Sequence, residues 1–551
     1  MAAATQAPEA PSGQGGGRFL AGIERLGNKV PHPAILFLAL CLIVIVLSQV
    51  LYWAGVGATY EVVKPPAQAI EETYLGGSQS PAEFLPPESV PSEDYEVVTE
   101  SVDVRGLLTV GGVRFLFTSF VSNFMGFTAM GIILIVMVGV GLSEASGLIA
   151  SLIRKLVAIS SPAALTYIIA FLGVISSIAS DAGYLVLIPL GAAAFMSIGR
   201  HPLAGMAVAF AGVAGGFGVN MLITPTDAIL TEITNESIGL VEDGRTIDLT
   251  ANLWFGIAST ILITAIVAFI TTRVVERRLG AYDPSVAPPA EQVEDATQEI
   301  APEADSRGLR WALWGFLGYI AAIAALTIPS GAPLRDPDTG DVIGTSPFMD
   351  SLIVIIALAF LVVGLAYGRG AGTLRTGTDA INAITKSWAS LATLLFLFLL
   401  IAQFIAYFNY SNMAQVAAVN LGDLIESADI GTVWLLLGAV LVTAVLNIIM
   451  PQAIAKWALL APIFIPLFLR IGVEPEVVLA AYRVGDSPGN IITPIMAYFP
   501  LIVVFANRYD RRSGIGTVIA LMLPYFVALT VLWTLLFAAW YLTGLPFGPG
   551  M

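Results

Sequence analysis

Apolar runs of about twenty residues recur from Pro33 to Leu542, and that recurrence confines the chain to a bundle of membrane helices. The runs lie at about 33–55, 123–145, 161–179, 182–198, 202–228, 251–272, 309–329, 349–368, 387–411, 431–450, 457–469, 477–506 and 514–544. Several are too short to cross alone. With 57% hydrophobic residues and a mean hydropathy of +0.84, only 12% of the chain is charged. A soluble domain carries about 25%.

The net charge of −15 is concentrated in two polar stretches, so it says little about any buried site. Nothing in it supports nucleic-acid binding. The lone cysteine, Cys41, lies in an apolar run and excludes an intrachain disulfide; His32 and His201 are isolated and have no cluster to make a metal site. Residues 1–17, rich in Ala, Gly, Pro and Gln, read as disordered. The run after Arg18, Arg25 and Lys29 is longer than a signal-peptide core, so a retained helix is expected.

Basic residues orient the spans, because cytoplasmic loops carry the Lys and Arg excess. With the N-terminal basic cluster inside, the first helix delivers 57–111 outside, where ten acidic residues face two basic ones, Lys64 and Arg105. Arg154 and Lys155 precede two short runs and Arg200 follows them. Both flanks being basic, 161–198 reads as a re-entrant hairpin. The same alternation, through Arg273, Arg277, Arg278, Arg369, Arg375, Lys386, Arg508, Arg511 and Arg512, makes 431–470 a second hairpin entered from outside. The expected fold is an all-α polytopic membrane protein with about nine transmembrane helices and two opposed re-entrant hairpins. The N-terminus is then cytoplasmic and the C-terminus external.

An internal repeat supports this. Ile188-Pro189-Leu190 is followed by Gly218-Val219-Asn220-Met221-Leu222-Ile223-Thr224-Pro225, and Ile465-Pro466-Leu467 by Gly489-Asn490-Ile491-Ile492-Thr493-Pro494. Inverted repeats with broken helices meeting near the midplane are the architecture of secondary transporters. The expected organisation is a cytoplasmic terminus (1–30), a first repeat (31–279), an acidic cytoplasmic linker (280–308) and a second repeat (309–551).

Two segments place polar chemistry in this apolar setting. Ala481-Tyr482-Arg483-Val484-Gly485-Asp486-Ser487-Pro488-Gly489-Asn490 combines a cation, an anion and helix breakers. Ionised side chains at membrane depth are expensive and line polar pathways. Arg483 can hold an anion by a planar pair of hydrogen bonds, and Asp486, three residues on, is close enough to neutralise it. The other segment, Ser176-Ser177-Ile178-Ala179-Ser180-Asp181-Ala182-Gly183-Tyr184, puts a carboxylate at the first hairpin tip, where it can bind a cation or accept a proton. The second tip offers Asn447, Pro451, Gln452, Lys456 and Trp457. Amide oxygens at Asn447, Asn220 and Asn490 suit Na+, and Trp457 can stack on a ring.

These residues closely resemble the AbgT family of p-aminobenzoyl-glutamate and antimetabolite transporters. The resemblance is carried by Ser180-Asp181-Ala182-Gly183-Tyr184, by Ala455-Lys456-Trp457-Ala458-Leu459-Leu460-Ala461-Pro462, by Ala481 through Ser487 and by Asn490 through Pro500. Phe115 through Ser119 and Val121 through Phe124 add to it, and it runs from the first helix to about Arg512. It implies an inner-membrane homodimer that moves aromatic amide substrates with an ion gradient, taking up p-aminobenzoyl-glutamate or exporting sulfonamides. Asp181, Trp457, Arg483, Asp486 and Pro494 match positions around the family's substrate cavity, and Asn447 one implicated in sodium binding. Three positions depart from the family pattern: Ile454 for serine, Gly489 for threonine and Pro451 for glycine.

The expected function is therefore ion-coupled secondary transport of aromatic amide metabolites or antimetabolites. It needs no cofactor beyond H+ or Na+, with Asp181, Asn447, Asn220 and Asn490 as coupling-ion residues. The alternative is a Na+/H+-type cation exchanger without organic cargo. An intramembrane hydrolase built on Asp181 and Asp486 would lack both a metal-ligand helix and a nucleophile and base pair, so no enzymatic activity is expected.

Overall fold

In the computed structural model the described residues are 33–64, 96–158, 160–178, 183–242, 244–288, 301–342, 346–427 and 431–549. The expectation of a disordered stretch at 1–17 and the middle of the linker at 280–308 fall outside them. The first half contains α1 (Pro33–Trp53), a β-hairpin of β1 (Gly57–Lys64) and β2 (Glu96–Asp103), α2 (Val110–Thr118), α3 (Phe120–Met125), α4 (Thr128–Ser146) and α5 (Leu148–Ala158). Next come α6 (Leu165–Ile175), α7 (Ile188–Ser197), α8 (Pro202–Gly215), α9 (Pro225–Ile238) and α10 (Leu253–Ile270). The second half contains α11 (Pro302–Thr327), α12 (Leu352–Ala371), α13 (Gly377–Ser390), α14 (Ala392–Tyr410) and α15 (Met413–Ser427). It ends with α16 (Thr432–Ile449), α17 (Ala453–Arg470), α18 (Pro475–Asp486), α19 (Phe499–Asn507) and α20 (Ile515–Leu542).

The antiparallel register of β1 and β2 runs from Gly57 opposite Asp103 to Lys64 opposite Glu96. It lies in the acidic stretch that sequence alone left as a loop. The two strands are separated by some thirty intervening positions, and a pairing that distant has no local turn signal to reveal it.

Among the described residues nine helices are long and apolar enough to cross a membrane: α1, α4, α10 with its extension to Leu279, α11, α12, α14, α16, α17 and α20. The number agrees with the expectation, but the membership differs. The runs at 202–228 and 477–506, counted as crossings, are each broken, into α8 and α9 and into α18 and α19. Conversely α16 and α17, the arms of the second hairpin, have 18 residues each, about 27 Å of helix. The arms of the first hairpin are shorter: α6 continues as a 3-10 turn to Ile178, and α7 is preceded by a π turn over Gly183–Leu187.

The broken helices form the centre. All fourteen residues of α8 and all twelve of α18 are buried. Helix α8 runs between α6 and α7, and glycine makes that approach feasible: a Cβ on Gly205 would lie 2.1 Å from the Gly191 carbonyl oxygen, and one on Gly212 would lie 2.7 Å from that of Ala170. Helix α18 packs on α16 and α17. Outside this centre α11 packs on α12 and α12 on α4, with Leu313, Trp314 and Ile320 of α11 exposed as lipid-facing side chains are.

Candidate functional site

The two breaks meet at Gly218 and Ser487. Pro488 cannot continue α18, because it lacks an N–H and its ring crowds the preceding turn. The chain goes on as a 3-10 turn over Pro488–Ile491. The Gly218 N–H donates to Ser487 Oγ at 2.8 Å, and Arg483 Nη1 donates to the Gly218 carbonyl at 2.9 Å. A Cβ on Gly218 would come within 2.4 Å of Ser487 Oγ, so glycine is what lets the two repeats touch.

Arg483 also pairs with Asp227 Oδ1 at 2.5 Å. The anticipated neutralisation by Asp486 is therefore corrected: the partner comes from the other repeat. Asp227 sits at the third position of α9, after the cap Thr224 and Pro225, and its Oδ2 accepts from the Thr224 N–H and Oγ1, each at 2.7 Å. Sequence reasoning stopped at Pro225 and missed Asp227. The capping-box spacing from Thr224 to Asp227 was the available signal.

Asp486 serves a different cation. Lys456 Nζ lies 2.5 Å from Asp486 Oδ1 and also donates to Asn447 Oδ1; both charged side chains are fully buried. The Tyr482 hydroxyl donates to the Ala453 carbonyl at 2.6 Å and lies 3.2 Å from Asp486 Oδ1. Asn447 Nδ2 donates to Asn490 Oδ1 at 3.1 Å, and Asn490 Nδ2 to the Ala214 carbonyl of α8 at 3.4 Å.

The first repeat has a counterpart. Asn220 Nδ2 donates to Ser177 Oγ at 2.9 Å and to the Ile175 carbonyl at 3.0 Å. Partners are 43 residues apart in both repeats, Ser177 with Asn220 and Asn447 with Asn490. Asn220 and Asn490 therefore bind their own hairpins rather than forming one site together.

Two cavities open at this junction. One, a narrow cavity of about 20 Å³, is lined by Asn220, Asp227, Thr231, Asn252 and Arg483 among apolar residues. Arg483 Nε and Asn252 Oδ1 are buried and have no hydrogen-bond partner among the described residues. The other, an open cleft of about 190 Å³, is lined by residues beside both hairpin tips and both breaks: Ser177, Tyr184, Phe217, Gln452, Asn490 and Tyr498 among others. Tyr184 and Tyr498 stack there, with ring centroids 4.3 Å apart and planes 11° from parallel.

The remaining residues singled out in the sequence are placed as follows. Trp457 is fully buried, its indole N–H donating to Thr234 Oγ1 at 3.0 Å and to the Leu230 carbonyl at 3.2 Å, with its ring 4.5 Å from that of Tyr482. It lines neither cavity. Pro494 is half-buried in the turn beyond the second break. Asp181 lies outside the described residues. Among those residues no group of His, Cys, Asp and Glu could hold a metal ion.

The pattern of the AbgT putative transporter family matches residues 18–551. The chain is 32% identical to the p-aminobenzoyl-glutamate transport protein of Escherichia coli (strain K12) over 541 residues, 98% of each chain. It is similar to the crystal structure of the YdaH transporter of Alcanivorax borkumensis, with a TM-score of 0.82 and 40% identity, over 94% of this chain and all of that one. It is similar also to MtrF of Neisseria gonorrhoeae, described with a class of antimetabolite efflux pumps. There the TM-score is 0.82 and the identity 37%, over 97% of this chain and all of that one. Broken helices meeting at a buried polar centre, inside a multi-pass helical bundle that matches over nearly its whole length, place this chain in the AbgT family of transporters.

Proposed function

We propose that the protein is an ion-coupled secondary transporter of aromatic amide metabolites or antimetabolites, of the p-aminobenzoyl-glutamate and sulfonamide type. The observation that carries this reading is Arg483: one edge of its guanidinium is held by Asp227 and Gly218, while its Nε–H is buried beside a cavity with no partner among the described residues. Such a group is completed by an anionic ligand, a carboxylate or an ionised sulfonamide, through a planar pair of hydrogen bonds. The neighbouring cleft has the aromatic lining a benzoyl ring requires, with the Tyr184 and Tyr498 stack as its platform. Trp457 then acts behind the cavities, through Tyr482 and α9.

Coupling runs through H+ or Na+, with Asp181, Asn447, Asn220 and Asn490 as the residues involved. The transporter works as a homodimer in the bacterial inner membrane, with its N-terminus cytoplasmic and its C-terminus external.

The test is reconstitution in liposomes with pH and sodium gradients imposed separately, following p-aminobenzoyl-glutamate and a sulfonamide. One gradient should drive accumulation of at least one of them. Arg483→Lys should weaken ligand binding by about tenfold or more, since the point charge cannot reproduce the fork. Cation flux indifferent to both ligands would favour the cation exchanger instead.

A further inference from the structure

Among the described residues the open cleft is lined by four polar side chains besides its stacked tyrosines, and two of the four are already engaged. Ser177 Oγ donates to the Val174 carbonyl at 3.0 Å and accepts from Asn220, while Asn490 accepts from Asn447 and donates to the Ala214 carbonyl. Gln452 and Thr226 are open. Neither side chain makes a hydrogen bond among the described residues, and Gln452 is exposed and Thr226 half-buried. Gln452 holds the cap position of α17, where a short side chain such as Ser or Asp would turn back onto the helix; its own makes no such bond and is left to the cleft. Thr226 stands in the first turn of α9, so the two open groups come from different repeats.

Each of these groups is uncharged and can both donate and accept. That suits a neutral amide better than a carboxylate, which only accepts. An amide carried out of water must be given an acceptor for its N–H and a donor for its carbonyl. In the trans form those two groups point in opposite directions, so one side chain cannot serve both, whereas partners on two elements can. We propose that Gln452 and Thr226 recognise the amide of an aromatic amide substrate, one pairing with its N–H and the other with its carbonyl. Together they set the preference of the cleft for amides, beside the Tyr184 and Tyr498 stack that receives the ring. The inference rests on the transport reading above and adds to it the residues that select the linkage attached to the ring.

Binding to the purified full-length protein is measured by titration calorimetry for p-aminobenzoyl-glutamate and for its ester analogue, in which oxygen replaces the amide N–H. Wild type should bind the amide about tenfold or more tighter, because a site built to pair with an N–H rejects the analogue that lacks it. Gln452→Met and Thr226→Val keep roughly the size of each side chain and remove its hydrogen bond. One of them should weaken the amide alone, by about tenfold, and bring the two ligands level. The other should weaken both ligands alike, since amide and ester share the carbonyl. Thr226→Ser keeps the hydroxyl and should behave as wild type. The proposal is overturned if wild type binds amide and ester equally, a comparison that needs no variant. It is overturned equally if either Gln452→Met or Thr226→Val keeps wild-type affinity for both ligands. Failure of wild type to bind either ligand would overturn the transport reading as well, whereas equal binding of the two overturns this inference alone.

Discussion

At the scale of single residues, the second break depends on a close approach at Gly489. A Cβ on Gly489 would lie 2.4 Å from Asn447 Nδ2, the atom that donates to Asn490. Asn447 has little room to give way, since its oxygen is engaged by Lys456. Gly489→Ala should cost about 1–3 kcal/mol of stability, the usual penalty of overpacking. A double-mutant cycle with Asn447→Ala, read by thermal unfolding, should show that most of this loss disappears once the amide is gone. Additive losses would mean that the glycine serves its backbone and not its neighbour. Which carboxylate pairs with which cation was beyond sequence reading, because the Arg483 partner is 256 positions away and the spacing to Asp486 offered a nearer, wrong candidate.

At the scale of elements, α8 is tied down at its start by His201. Its Nδ1 accepts from the Leu203 N–H at 3.2 Å, and its ring lies edge-on to Tyr282. Burial pushes the His201 imidazole below its usual 6.5, against the opposite pull of Asp510 and Glu276. The folded protein therefore keeps the ring neutral where the unfolded chain would bind a proton. Stability should fall as pH drops from about 6.5 toward the depressed folded value, and below that value the slope should vanish. Protonation also removes the acceptor that caps α8. Asn caps a helix without titrating, so His201→Asn should flatten the dependence of melting temperature on pH over that window. An unchanged slope would assign the effect to other groups.

At the scale of the whole molecule, two ion pairs bear on the topology. Arg154, before the first hairpin, pairs with Asp305 at 3.5 Å, and Arg200, after it, pairs with Glu276 through Nε at 2.6 Å and Nη2 at 2.8 Å. Glu276 and Asp305 flank the two ends of one connection, between α10 and α11. Both hairpin flanks are thereby drawn to the same linker, and cysteines introduced at Arg154 and Arg200 in a background lacking Cys41 should both label from the cytoplasmic face only. Labelling from opposite faces would mean that 161–198 crosses the membrane an odd number of times and forms no hairpin.

The sequence by itself determined the membrane setting, the helical class, the family, both hairpin regions and the positions of the helix breaks. Each of these is written in local composition: apolar runs, basic flanks, and the glycine and proline that stop a helix at Gly218 through Pro225 and Pro488 through Pro494. Only the tertiary structure decided how the polar groups pair. Asp227 answers Arg483, Lys456 answers Asp486, each break asparagine binds its own hairpin, and Trp457 bonds to Thr234 and Leu230 and lines neither cavity. The strands at Gly57–Lys64 and Glu96–Asp103 belong to the same group of outcomes. The reason is physical: in a buried centre a charge or amide is satisfied by whichever partner packing brings within hydrogen-bonding distance, and here those partners come from segments up to 256 positions apart.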